Sequence, residues 1–343
     1  MSAFVSRKNW TKETIFCTLI NTMSAESQAK QKGKEHVLVT GGAGYVGSTL
    51  VGRLLDKGYG ITVLDSLKFG GQGLMPYFGH ENFRFIKGDV RDEKKVKEAM
   101  EGATAVIHLA GIVGFPACRK DPEGSREINV RGTQVVADAT PKNVPILFAS
   151  TGSNYGKMIE KYCTETSPLN PLSDYARHKV EGEDIVKRHG EFVIFRFATA
   201  FGVSPRMRLD LMPNDFTYRA VKDKTLIVYE KQFMRTFIHV RDMADAFIFA
   251  LKNYGKMRGE IYNVGSNDMN YSKEAVATMI KGKIEYYLHF ADVGHDIDQR
   301  DYMVSYDKLH GVGFVPSVSM EQGINELIKM SEAIEIQNPH YNA

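Results

Sequence analysis

Cysteine is scarce: Cys17, Cys118 and Cys163 are the only three in 343 residues. They share no metal-ligand spacing and form no even set, so a disulfide framework is excluded and a reducing cytosol is the expected compartment. An excess of one charge is missing too. Lys and Arg number 44 against 41 Asp and Glu, and the net charge of +3 is too small to argue for nucleic acid or a membrane surface as partner. No apolar run approaches the roughly 18 residues that span a bilayer. Internal repeats and low-complexity segments are likewise absent. What remains, 43% hydrophobic and 25% charged, is an ordinary globular composition with enough chain for one large core, or a large and a small one.

The first 35 residues differ from the rest. Arg7, Lys8 and Lys12 precede a short apolar stretch, Ile15 to Ile20, and the segment then turns polar and Lys-rich. A secretory signal needs a longer apolar centre and a small-residue cleavage site, so a flexible extension is expected, with organelle targeting as the second reading. Met23-Ser24-Ala25 repeats Met1-Ser2-Ala3, which makes an internal start conceivable.

From His36 the pattern is regular. "HVLVT" reads as a buried strand, "GGAGYVGSTLVGRLLDKG" as a glycine turn opening an amphipathic helix that Gly58 can end, and "ITVLD" as the next strand. "FRFIKGD", a helix near 92 to 100, "AVIHLAG", a helix near 124 to 140, "PILFAS", a helix from about 174 to 189, and "FVIFRFAT" follow. Alternation of strand and helix predicts an α/β fold with a parallel, doubly wound sheet of Rossmann type.

Gly41, Gly44 and Gly47 give the spacing G-x-x-G-x-x-G between strand and helix, where missing side chains let backbone amides reach a pyrophosphate. Asp65 closes the following strand, near the spacing expected of a carboxylate that binds an adenosine ribose. That carboxylate repels a 2′-phosphate, so NAD is expected rather than NADP. Tyr175 and Lys179 in "DYARHKVEGE" lie four apart on one helical face. A phenol with a pKa of about 10 is a poor base at neutral pH, but an adjacent ammonium favours its phenolate. "FASTGSNYG", 148 to 156, crowds hydroxyls at the end of a buried strand, either as a polar turn or as part of a site.

Taken in order, "TGGAGYVG" (40 to 47), "LDSL" (64 to 67), "GDVRD" (88 to 92), "HLAG" (108 to 111), "INVRGT" (128 to 133), "STGSNYG" (150 to 156), "YARHK" (175 to 179) and "RTFIHVRDMADA" (235 to 246) resemble the extended short-chain dehydrogenase/reductase family. Within it they are similar to the nucleotide-sugar epimerases and dehydratases, over about residues 36 to 310. The resemblance implies a catalytic set of Thr151, Tyr175 and Lys179. It implies cofactor contacts from Gly41, Gly44, Tyr45, Val46, Gly47, Asp65, Ser66, Leu67, Asp89, Val90, Leu109, Ala110, Gly111, Tyr175 and Lys179, with Asn129 as a structural support. Substrate contacts are implied for Thr151, Ser153, Thr199, Asn214, Arg235 and Arg300, the two arginines as clamps on a nucleotide diphosphate. No metal is implied. Thr199 departs from the asparagine many relatives carry in "RxxNxYG".

The resemblance also implies an NAD-binding part, 36–198 with about 236–262, and a smaller C-terminal α/β part that binds a nucleotide sugar, about 199–235 with 263–343. It implies a cytoplasmic homodimer paired through helices near 124 to 140 and 174 to 189. The dehydratases it resembles read "TDEVYG" where this chain has Gly152 and Ser153, so the acid and base for elimination are missing. Transient oxidation at the sugar C4, with Tyr175 taking the hydroxyl proton and hydride moving to NAD and back, is the expected reaction. A ketosugar reductase or dehydrogenase with exchangeable cofactor is the alternative; a dehydratase and a non-catalytic NAD-binding regulator are less favoured.

Overall fold

In β1 (His36–Thr40), Val37 and Val39 face one hydrophobic layer and Leu38 the other, and all three are fully buried. The same two-sided burial recurs in β2 (Gly60–Asp65), where Ile61 and Val63 oppose Leu64, and in β5 (Ile146–Thr151), where Leu147 opposes Ile146 and Phe148. Strands apolar on both faces belong in a sheet covered by helices on both sides. The computed structural model, which describes residues 35–156, 162–292 and 303–336, contains that sheet. The expected N-terminal extension and Arg300 lie outside the described residues.

With β3 (Phe83–Lys87), β4 (Ala105–His108), β6 (Phe192–Phe197) and a late strand, Glu260–Val264, the seven strands pair in the order β3-β2-β1-β4-β5-β6-(260–264), all parallel. Chain order reverses between β1 and β4. In an open parallel sheet that reversal leaves a crevice at the carboxyl ends of the strands, the default ligand site.

Helix α1 (Tyr45–Asp56) covers one face and ends where Gly58 turns left-handed at φ +84°. On the other face lie α2 (Glu93–Met100), capped by the Asp92 carboxylate, and α3 (Gly132–Ala139). The sequence predicts one helix near 124 to 140; the structure instead has a short helix, Pro122–Arg126, a π-helical turn, Glu127–Arg131, and then α3. The cause is Asn129. Its side-chain oxygen accepts from Ile112 N at 2.7 Å while its amide donates to Ile112 O at 2.9 Å. Holding that residue against the strand-end loop widens the turn, as π-bulges at functional sites commonly do.

Helix α4 (Asp174–His189) starts on the Ser173 hydroxyl, which accepts from Ala176 N at 3.2 Å, and stops at Gly190, φ +100°. It is keyed to the sheet by Glu183 and Arg196, both essentially buried, which meet with Nη2 to Oε2 at 2.7 Å and Nε to Oε1 at 2.9 Å. Ser150 Oγ donates to Glu183 Oε1 at 2.6 Å and Asn154 Nδ2 to the same oxygen at 2.8 Å. Arg196 Nη1 continues to the Tyr155 hydroxyl at 3.2 Å, which donates to Asn263 at 2.6 Å. Burial works against the charge on Arg196, but Glu183 outweighs it and holds the guanidinium above its ordinary pKa.

Beyond β6 the chain leaves the large sheet. Strands β7 (Thr199–Phe201), β8 (Thr225–Tyr229), β9 (Met234–His239), β10 (Asn270–Ser272) and β11 (Tyr287–Ala291) form two small sheets, ordered β10-β9-β7 and β11-β8. Their core joins Phe201, Phe216, Phe237, Ile280, Ile324 and Leu327 with helices α5 (Met212–Lys222) and α6 (Met320–Ala333).

Removing one member of a buried ion pair leaves the other charge unpaired, at a cost of about 3–5 kcal/mol, whereas replacing both by apolar side chains is commonly near neutral. Arg196→Met therefore lowers unfolding free energy by about that much in a urea melt, and the double change Glu183→Leu/Arg196→Met loses less than Arg196→Met alone. A single-variant loss below about 1 kcal/mol, the range of solvated surface pairs, would show that the pair is not desolvated.

Candidate functional site

The crevice at the β1/β4 reversal is a cavity of about 290 Å³. Its floor is the glycine turn. Gly41 is left-handed at φ +73°, and a Cβ there would lie 2.7 Å from Ala110 N, while one on Gly47 would run into Gly41 O. Side chains are thus excluded by the backbone itself. Helix α1 opens on Gly44 with no side-chain cap and no acid in its first turn, so its free amides carry their partial positive charge into the cavity beside Tyr45, Val46 and Gly47. A pyrophosphate fits such a cradle.

At the end of β2, Asp65 and Ser66 line the cavity. The Asp65 carboxylate accepts from Ala43 N at 2.9 Å and Leu67 N at 2.8 Å, one bond to each oxygen, so each keeps a lone pair. Burial raises its pKa, against those two amides and the nearby Arg206 guanidinium, which lower it. Leu67 takes φ +59° to make its bond and does not itself line the cavity. Asp89 and Val90, after β3, and Leu109, Ala110 and Gly111, after β4, complete this wall. The bond from Arg91 holds the Asp89 carboxyl below its usual range.

At the other end stand Thr151, Ser153, Tyr175, Lys179 and Thr199. Successive strand residues face opposite ways, so the Ser150 hydroxyl turns to Glu183 while Thr151 turns to the cavity, where its hydroxyl donates to Ser153 Oγ at 3.2 Å. Lys179 Nζ donates to Ala149 O at 2.7 Å and sits 4.7 Å from the Phe148 ring centre. Burial pulls its pKa down to about 8, against the raising influence of Cys118 and Glu183. One turn separates it from Tyr175 on α4.

Two of the expected substrate residues lie elsewhere. Asn214 is fully buried behind the wall, accepting from Gly202 N at 2.9 Å and donating to Arg208 O at 2.8 Å. Arg235 is buried in β9, its Nη1 on Met234 O at 3.0 Å, and is not among the lining residues. The segment 202 to 210 does what sequence reading missed. Tyr45 OH donates to Gly202 O at 2.7 Å, Ser204 Oγ donates to Tyr45 O at 2.6 Å, and Arg206 lies 4.8 Å from the Phe69 ring centre. Arg208 reaches the same cavity in a bidentate pair with Asp210, at 3.1 and 2.5 Å. Its interactions are with residues two apart in an irregular loop, for which no periodicity gives a signal.

The pattern of the NAD dependent epimerase/dehydratase family matches residues 37–265. The chain is 30% identical to the low-salt glycan biosynthesis protein Agl12 of Haloferax volcanii over 85% of its own length and 97% of that protein's, and 28% identical to a dTDP-D-glucose 4,6-dehydratase of Bos taurus over 90% and 93%. Among solved structures, the UDP-glucose 4-epimerase of Thermus thermophilus in complex with NAD superposes with a TM-score of 0.76 at 26% identity, covering 86% of this chain and 98% of that one. The chain belongs to the NAD-dependent epimerase/dehydratase family of the extended short-chain dehydrogenase/reductases.

Proposed function

We propose that this enzyme interconverts a nucleotide-diphosphate sugar with its 4-epimer by transient oxidation and re-reduction at C4. The distribution of acid carries the reading. Among the described residues that line the cavity, the only carboxylates are Asp65 and Asp89, both on the β2–β3 side, away from Thr151 and Tyr175. Elimination of water from the sugar needs a positioned acid and base beside the ring, and Gly152 and Ser153 stand where the resembling dehydratases carry them.

Bound NAD supplies a reversible two-electron hydride acceptor at C4. The rest belongs to side chains of this chain. Thr151 Oγ1 holds the 4-hydroxyl, and the Tyr175 phenolate takes its proton as the C–H bond breaks. Lys179, with a pKa of about 8, remains mostly protonated at neutral pH, and its ammonium stabilises the phenolate from the next turn of the helix. Tyr175 then returns the proton to the oxygen once the ketone has turned over in the site, so that neither atoms nor electrons are lost. In the same reading, residues 36–198 with 236–262 carry the cofactor and 199–235 with 263–343 the nucleotide sugar. Cys118 and Cys163 form no disulfide among the described residues, which fits a reducing cytosol, and no helix among the described residues is long and apolar enough to cross a membrane. A homodimer paired through 124–140 and 174–189 follows from the family likeness.

Incubation of the purified enzyme with a panel of nucleotide sugars gives a product of unchanged mass and no accumulating NADH. Loss of about one water, roughly 18 Da, would make it a dehydratase with an acid and base from elsewhere, and stoichiometric NADH would make it a dehydrogenase. Tyr175→Phe removes one hydroxyl and little volume; turnover falls by about 10²–10⁴, the range for general acid–base groups, while cofactor stays bound, and wild-type rates would refute the assignment. The Asp65 carboxylate makes NAD bind about tenfold or more tightly than NADP, a gap that Asp65→Asn narrows in a fluorescence titration; equal affinities in the wild type would mean that this carboxylate does not meet the ribose.

A further inference from the structure

Tyr45 takes part in both sides of the crevice. As the first residue of α1 it lines the cavity, and its amide is among the free N–H groups at the glycine turn. Its phenol is buried against the chain that follows β7, where the hydroxyl donates to Gly202 O at 2.7 Å and accepts from Asn214 Nδ2 at 3.3 Å. Burial holds this phenol above its ordinary pKa, so the hydroxyl keeps its proton and stays a donor. Asn214 closes the network: its Oδ1 accepts from Gly202 N at 2.9 Å, and its Nδ2 also donates to Arg208 O at 2.8 Å. On the other side of Gly202, at φ +106°, a Cβ would run into His239 Nε2, so the peptide is packed there too. A second tie lies beside the first. Ser204 Oγ donates to Tyr45 O at 2.6 Å and accepts from Thr49 Oγ1 at 3.1 Å.

Resting on the reading above, in which residues 199–235 carry the nucleotide sugar, we infer that the Tyr45 hydroxyl is a positioning group for the substrate and not for the cofactor. Between β7 and α5 the chain is irregular, and it brings Arg206, Arg208 and Leu211 to the cavity wall. Such a segment is ordered by its side-chain ties. A ligand that has to order its own binding wall loses that cost from its affinity, and a wall already fixed spares it. The cofactor's debt to Tyr45 is different. A pyrophosphate on the glycine turn meets backbone amides, which phenylalanine at position 45 presents unchanged. One residue thus serves one ligand with its main chain and the other with its side chain.

The test is Tyr45→Phe, which removes the hydroxyl and nothing else. Its control is Tyr77→Phe, which removes a phenol hydroxyl whose bond runs to Ser48 O of the same helix at 3.1 Å. NAD is titrated by fluorescence, and the NAD-loaded proteins are titrated calorimetrically with the diphosphates of uridine, thymidine, guanosine, cytidine and adenosine. Tyr45→Phe weakens the diphosphate that the wild type binds best by about fivefold or more, the net worth of one buried hydrogen bond, and leaves NAD affinity within about twofold. Tyr77→Phe changes neither affinity by more than about twofold. If Tyr45→Phe does not fold, Ser204→Ala cuts the second tie and gives the same pattern. An unchanged diphosphate affinity overturns the inference and leaves the nucleotide-sugar reading standing. So does an equal loss for NAD, which would assign the hydroxyl to the cofactor turn, and so does an equal loss in Tyr77→Phe, which would make the effect one of the whole helix. A wild type that binds none of these diphosphates refutes the nucleotide-sugar reading and this inference with it.

Discussion

The site depends on a charge pair that never touches it. Glu183 and Arg196 are desolvated between α4 and the sheet, and a carboxylate with four donors around it has little freedom to shift. Because Glu183 lies one turn after Lys179 and two after Tyr175 on the same helix, fixing its register fixes theirs. The same carboxylate takes the Ser150 hydroxyl, so the strand end is pinned from behind while its next residue, Thr151, is left facing forward. Three side chains from two elements are thereby referred to one anchor. The role proposed for them needs placement to a fraction of an ångström, which is what a stiff buried support gives.

A second constraint is the close approach of backbone to backbone at the glycine turn. The end of β1 and the loop after β4 come so near that only hydrogen fits on Gly41, and the first turn of α1 is equally tight against Gly41 O. That contact decides where the crevice opens, and the topology decides that it opens between β1 and β4. His108 lies beneath, sharing hydrogens with Thr40 at 2.6 Å and Thr133 at 3.0 Å; burial lowers its pKa to about 3 and keeps it a neutral strut.

Much of this was legible in the sequence because it is periodic or local. Two-sided apolar strands, glycines at fixed offsets and Gly58 at the end of the first helix announce themselves within a few residues, and the helix from 174 to 189 has the predicted bounds. The π turn was not legible, since it is imposed by an Asn129 bond to a loop 17 residues away. The destination of Arg235 was equally hidden, because a motif fixes a residue's place on a strand but not the contacts that cover its guanidinium. Arg206, Arg208 and Asp210 sit in an irregular segment, and only the three-dimensional path of the chain brings them to the cavity.

That segment has a mechanical meaning. The stretch from Gly202 to Arg208 is fastened to the glycine-turn helix through Tyr45 and Ser204 and reaches past it to Phe69 and Asp65, so one continuous piece of chain runs along the wall of the cavity. Moving any part of that wall breaks several of these contacts together, so its two ends shift as one piece rather than independently.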